Sequence, residues 1–424
     1  MHQFMLFRLS DYRTYGLIGA TFSLVYLSVI ITDLGLEPSI SPFFSTVTKN
    51  KHAFKKFILM HLIPNIVAVF TLTGIAFALK AYVTGNDSAL VQQMSSPLLV
   101  LLGALVLSEN IKKSLRTLLH LAFLNRTVAF IEVSTIVSYV ACVWTLYMFG
   151  ATISLPLIFA PMLAISALSN FVMAFFLYRF QKTLADEKTV ALEPIKKRVI
   201  KSRLFNYLNQ LSHQFFSSNF LVPFFAFQFG LANAGIFKLV SHTAHCITGA
   251  LRKIFGLSSD AILAHTKTMT LETKRAVFLR VTQRLHHALY GIIIFFAINH
   301  GKMLQQGIGG GTLPGGPLVY LFLIICLSEN FFIIYEKFYI TQERTERLFA
   351  FNLLTMLLTY MVIQQTTTFS QLGALLALIT VRVSMFALLS LTSFYTWRIK
   401  PQWRLQPRYL AAALCVSLSF FMLF

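Results

Sequence analysis

Apolar stretches long enough to cross a bilayer recur from one end of this chain to the other, and no other feature limits its fold so strongly. Residues 153–178, ISLPLIFAPMLAISALSNFVMAFFLY, hold no charged side chain. As a helix rising about 1.5 Å per residue, such a stretch covers the roughly 30 Å of a hydrocarbon core. Of the 424 residues, 56% are apolar and 12% charged, against about 25% charged in soluble domains. The chain therefore reads as an all-α polytopic membrane protein. Twelve spans are expected, at roughly 15–36, 57–83, 97–119, 127–149, 153–178, 205–227, 229–251, 276–299, 316–338, 347–367, 371–395 and 408–424.

The formal charge of +21 would point to nucleic acid in a soluble chain. Here the Lys and Arg alternate between loops, as positive-inside topology requires. Lys49, Lys51, Lys55 and Lys56 follow the first span, whereas 84–96 holds Asp87 and no base. Lys112, Lys113, Arg116 and Arg126 come next, then an uncharged turn at 150–152, then the strongly basic segment 179–204. The same alternation continues in the second half. Basic loops and the linker 179–204 are thus expected on the cytoplasmic side of the inner membrane, with lipids as neighbours and no nucleic acid. Cys142, Cys246, Cys326 and Cys415 lie in apolar runs without a CxxC pair, and the histidines form no cluster at ligand spacing. No metal or cofactor is expected.

Two stretches repeat. PLLVLLGALVLSEN at 97–110 and PLVYLFLIICLSEN at 317–330 share Ser-Glu-Asn at the same place in two apolar helices. Tyr15-Gly16-Leu17 likewise echoes Phe229-Gly230-Leu231, with Ala20 matching Ala234. Two echoes in the same order, at nearly the same offset, read as a duplicated bundle. The expected parts are an N-terminal bundle at 1–178, the linker 179–204, a C-terminal bundle at 205–396 and an extra span at 397–424. The duplication also implies a helix before residue 15 that the chain lacks, so a truncated, mis-started or degenerate N-terminus is expected.

Tyr15-Gly16-Leu17, an apolar run and then Asp33-Leu34-Gly35-Leu36 resemble the start of the Wzx-type polysaccharide-biosynthesis flippases. That family shares a superfamily (MOP) with the MATE exporters and the lipid II flippases. The resemblance implies two six-helix lobes related by a pseudo-two-fold axis, with a central cavity that opens alternately to each side. It also implies a lipid-linked oligosaccharide as cargo, and a polysaccharide polymerase as a possible partner in O-antigen, capsule or exopolysaccharide assembly. The absent first helix departs from the pattern.

A charge at mid-bilayer normally faces protein or a wet cavity. Glu109 and Glu329 sit at matching depth, either as coupling carboxylates or as structural ones bonded to a Ser, Asn or Lys nearby, with Asn110 and Asn330 as natural partners. Lys238, Arg382, Arg280 and Arg284 make the second half cationic, and His242 and His245 lie one turn apart as a pH-sensitive or packing pair. Guanidinium and ammonium groups complement the oxygens of a diphosphate. The alternative for Arg382 is a helix-holding pair with Glu329 or Glu336. Asp33 is expected to bond locally around Gly35.

No two carboxylates of one helix stand at catalytic spacing except Glu329 and Glu336, which share a face but lie at different depths, so no enzyme is expected. The function expected is a flippase for an undecaprenyl-diphosphate-linked oligosaccharide working by alternating access. A MATE-like drug or cation antiporter and a degenerate non-transporting relative are the alternatives.

Overall fold

The computed structural model describes residues 6, 10–35, 44, 48, 50–82, 95–150, 154–184, 203–204, 206–212, 214, 217–251, 270–307, 321, 323–325, 335, 339, 345–365 and 371–397. Among them run α1 (Tyr12–Asp33), α2 (Lys51–Tyr82), α3 (Ser96–Leu121), α4 (Asn125–Met148), α5 (Leu155–Lys182), α6 (Ser218–Gln228), α7 (Leu231–Leu251), α8 (Leu271–Gly307), α9 (Thr345–Gln365) and α10 (Gln371–Trp397). By length and composition, five of the described helical segments could cross a membrane: Arg13–Asp33, Lys51–Lys80, Asn125–Met148, Leu155–Lys182 and Leu375–Ser393. The protein is an all-α, multi-span membrane protein. It divides into two compact units, Met1–Gln214 and Phe215–Phe424.

In the first unit α1 is the inner helix. Its Tyr15, Ile18, Phe22, Val25 and Val29 are buried, and it packs against α2 and α3. Asp11 starts it, its carboxylate accepting from the Thr14 N–H at 3.1 Å. The most extensive packing in this unit is α3 on α5, and α4 lies along α5 as well. Phe70, Phe130 and Phe171 on α2, α4 and α5 are exposed, the surface expected of helices that meet lipid rather than water. At the basic end, Phe54 and Phe57 of α2, Leu115 and Leu119 of α3, Val128 of α4 and Leu177 of α5 share one core. The ends of four helices are therefore held at one depth.

In the second unit α6 and α7 meet through Phe225 and Phe237, whose ring centroids are 4.8 Å apart. Phe278, Leu285 and Leu289 of α8 share a core with Tyr335, Tyr339, Leu348 of α9 and Leu389 of α10.

Three expectations change. The span read continuously over 205–227 is interrupted at Ser217, whose extended backbone (φ −74°, ψ 153°) precedes α6. The Ser217 carbonyl takes the N–H groups of Phe220 and Leu221, both at 3.1 Å; paired serines favour such starts over helix interior. The span read as 276–299 is the 37-residue α8. At about 1.5 Å per residue it reaches roughly 55 Å, well past a hydrocarbon core. Its start is set by polar capping, with the Thr273 N–H donating to the Thr270 hydroxyl, rather than by where the apolar pattern begins. Finally, the echoed motifs differ in conformation. Gly16 lies inside α1, one turn after the Asp11 cap, while Gly230 takes φ +86° in the turn between α6 and α7.

Candidate functional site

The strongest concentration of polar chemistry in the first unit lies where α3 crosses α5 and α1. On α3, Ser108, Glu109 and Asn110 interrupt an apolar face. On α5, Ser166, Ser169 and Asn170 stand at i, i+3 and i+4, so all three meet α3 from one side of the helix. The Asn170 amide donates to the Ser108 hydroxyl at 3.0 Å and to its carbonyl at 2.8 Å. The Ser108 hydroxyl donates to Ser166 at 3.0 Å, and Ser166 donates to Glu109 Oε1 at 2.7 Å. The row ends on the carboxylate, from which Lys112 Nζ is 4.0 Å away. A carboxylate in a low-dielectric interior is tolerable when donors of this kind face it.

Asn110, expected beside Glu109 as its partner, turns to α1 instead. Its amide donates to the Thr32 hydroxyl at 2.7 Å and to the Val106 carbonyl at 3.2 Å. Adjacent helix residues point about 100° apart, so two neighbours in sequence serve two neighbouring helices. Among the described residues, the buried Asn110 Oδ1, Asn170 Oδ1 and Ser169 hydroxyl have no hydrogen-bond partner. Buried polar atoms of that kind are where an ordered water finds partners.

A second cluster closes one end of this unit. Asp33, whose side chain is fully buried, accepts from Lys113 of α3 at 3.1 Å. Beyond the local bonding expected around Gly35, this fully buried carboxylate takes a cation from the neighbouring helix. The Arg203 Nε donates to the Leu34 carbonyl at 2.9 Å and its Nη2 to Asn65 Oδ1 at 2.7 Å. A guanidinium on the last carbonyls of α1 complements the helix dipole. Burial pushes the Arg203 guanidinium down from its ordinary value, and the Asp33 charge opposes that. Gly35, at φ +69°, lets this happen: a Cβ there would stand 2.4 Å from the Arg203 carbonyl and 2.7 Å from the Tyr207 nitrogen.

In the second unit, Lys238 of α7 and Arg382 of α10 are both buried. Arg382 donates to the Ile325 carbonyl, while Glu329 and Glu336, its expected partners, lie outside the described residues along with Asn330. His242 is half-buried; His245 is exposed and donates through Nδ1 to the Ser241 carbonyl at 2.9 Å. Arg280 and Arg284 are exposed on α8, whereas His286 and His287 of the same helix are buried. His286 packs on Phe386 at 5.4 Å and Tyr335 at 6.4 Å.

Thr32, Asn65, Lys113, Ser166, Asn170 and Arg203 were not singled out from the sequence as site residues. The serine-serine-asparagine spacing on α5 is the one signal that could have found two of them.

No family model and no curated protein sequence matches the chain. Solved structures do match in fold. An inward-facing multidrug resistance MATE family transporter of the MOP superfamily aligns with a TM-score of 0.68 at 11% identity, over 94% of this chain and 92% of that one. The lipid II flippase MurJ, in an inward closed conformation, aligns at 0.61 and 11% identity, over 97% and 87%. A MOP superfamily transporter from Pyrococcus furiosus, described as having a binding pocket of reverse polarity, aligns at 0.58 and 10% identity, over 94% and 91%. At these identities the likeness is one of fold.

Proposed function

Taking that shared transporter fold as the premise, we propose that the protein is a flippase. Its cargo would be an undecaprenyl-diphosphate-linked oligosaccharide, moved across the cytoplasmic membrane by alternating access. The observation that carries this reading is the burial of two cations, Lys238 and Arg382, in the helices of the second unit. A buried cation in a membrane helix is costly and rarely idle. Ammonium and guanidinium groups bind diphosphate oxygens with charge-assisted hydrogen bonds. Arg280 and Arg284, exposed on α8, add positive charge to the same unit. Glu109, at the end of the row from Asn170, is the candidate coupling carboxylate.

A MATE-like exporter of cationic compounds is the second reading, supported by the MATE-type fold and by the buried oxygens around Glu109. The test is glycan export in cells lacking the gene. Accumulation of lipid-linked oligosaccharide on the cytoplasmic face, relieved by the wild type and not by Arg382→Ala at equal protein level, is expected. Unchanged export in the deleted cells would sink the flippase reading and favour the exporter.

A further inference from the structure

The basic end of the first unit carries a surface that the transport reading does not use. The turn between α3 and α4 holds Phe123 at φ 60°, and the residue is 89% exposed. Leu124 N–H to Leu119 C=O and Phe123 N–H to His120 C=O, both 3.0 Å, close the turn. This is the helix-ending arrangement in which glycine usually takes the left-handed position. A phenylalanine there bears a steric cost that glycine avoids, and so exposed a side chain gains little packing to offset it. An apolar or interfacial surrounding would.

The neighbouring helix ends supply the rest. Val128, Leu119, Phe54 and Leu177 share one core, so the starts of α2 and α4 and the ends of α3 and α5 stand at one depth. Exposed on those ends are Lys55, Lys56, Arg126, Arg179 and Lys182. The Arg179 guanidinium lies 5.7 Å from the Phe175 ring centroid, and the Lys182 ammonium 4.7 Å from that of Tyr178. Both rings are themselves exposed. Glu132, on the neighbouring face of α4, is already engaged by Arg116 at 3.2 Å. The outcome is a rim of cations, two of them held over aromatic rings, next to an unsheltered Phe.

We propose that this rim binds the headgroups of anionic phospholipids. Phe123 and Phe175 enter the boundary between headgroup and acyl chain, and Arg126, Arg179 and Lys182 meet the phosphates. A free phosphate would use the cations but not the exposed rings; a lipid uses both.

The test uses the full chain in detergent, measuring retained lipid by native mass spectrometry against phosphatidylglycerol and phosphatidylcholine. Wild type is expected to retain phosphatidylglycerol selectively. Arg126→Gln/Arg179→Gln/Lys182→Gln should weaken retention roughly 100-fold, since each cation near an anionic surface contributes about a fivefold factor. Phe123→Gly, which suits the turn's backbone, should fold at least as well and still retain less lipid. The proposal is overturned if the triple variant retains lipid as wild type does, if phosphatidylcholine binds equally, or if inorganic phosphate displaces the lipid. Should the triple variant aggregate, the wild type decides. Retention that stays constant between roughly 50 and 500 mM salt overturns the proposal, and retention that falls supports it.

Discussion

Replacing Lys113 by Met should damage the protein more than replacing Asp33 by Asn, although the two side chains form one ion pair. The pair is asymmetric: at 3.1 Å separation, the Asp33 side chain is 0% exposed and that of Lys113 is 15% exposed. Lys113→Met takes the ammonium away from a carboxylate with no exposed surface, and removing one partner of a buried pair costs about 3–5 kcal/mol. Arg203 lies close enough to feel the Asp33 charge, which favours the lower end, about 3 kcal/mol. Asp33→Asn leaves a lysine that can swing its ammonium into solvent, so about 1 kcal/mol is expected. In the double variant Asp33→Asn/Lys113→Met both charges of the pair are gone. It should fall near the milder single change, giving a coupling energy of about 2–3 kcal/mol. The assay is urea unfolding in a fixed detergent, followed by tryptophan fluorescence for all four proteins. Additive losses, or a Lys113→Met cost below about 1 kcal/mol, would refute the reasoning.

Gly35→Ala would set a Cβ 2.4 Å from the Arg203 carbonyl at a backbone φ of +69°, so a loss of about 2–4 kcal/mol and a poor folded yield are expected by size-exclusion chromatography. Ser166→Val removes the donor to Glu109 and the acceptor of Ser108 together; it should cost about 1–3 kcal/mol in the same unfolding assay, whereas Glu109→Gln, which keeps an oxygen for Ser166, should cost under about 1 kcal/mol. Asp11→Ala removes the α1 cap and should cost about 0.5–1 kcal/mol at neutral pH. The Thr14 hydroxyl foremost holds the Asp11 carboxyl below its ordinary range, so the cap's contribution is complete above about pH 5 and fades as pH falls through the lowered value. Unfolding curves of wild type and variant should draw together only as pH falls below the ordinary carboxylate range and through the lowered value.

Helices that must cross hydrocarbon announce themselves in sequence because their length and polarity are set by the solvent, and α1, α4, α5, α9 and α10 run close to the expected spans. Their ends depend on individual caps, which is why α8 begins at Leu271 and α6 only after Ser217. Side-chain partners are harder to read. Ser-Glu-Asn on α3 stands out among apolar residues, but which neighbour each side chain meets is a matter of helix rotation. Glu109 therefore meets Ser166 on α5, and Asn110 meets Thr32 on α1. The Asp33–Lys113 pair spans two helices, and neither residue's own surroundings in the sequence reveal the other. Asn65 sits directly after Pro64, where the local signal is all about the helix backbone and says nothing of Arg203.

The row from Asn170 through Ser108 and Ser166 to Glu109 has a direction. A hydroxyl has a single proton to give, so every member of the row points the same way because the last one is an acceptor. Were Glu109 replaced by an apolar residue, Ser166 would lose that acceptor, and the order of the row would no longer be set. One carboxylate on α3 thereby sets the orientation of two hydroxyls, one on its own helix and one on α5.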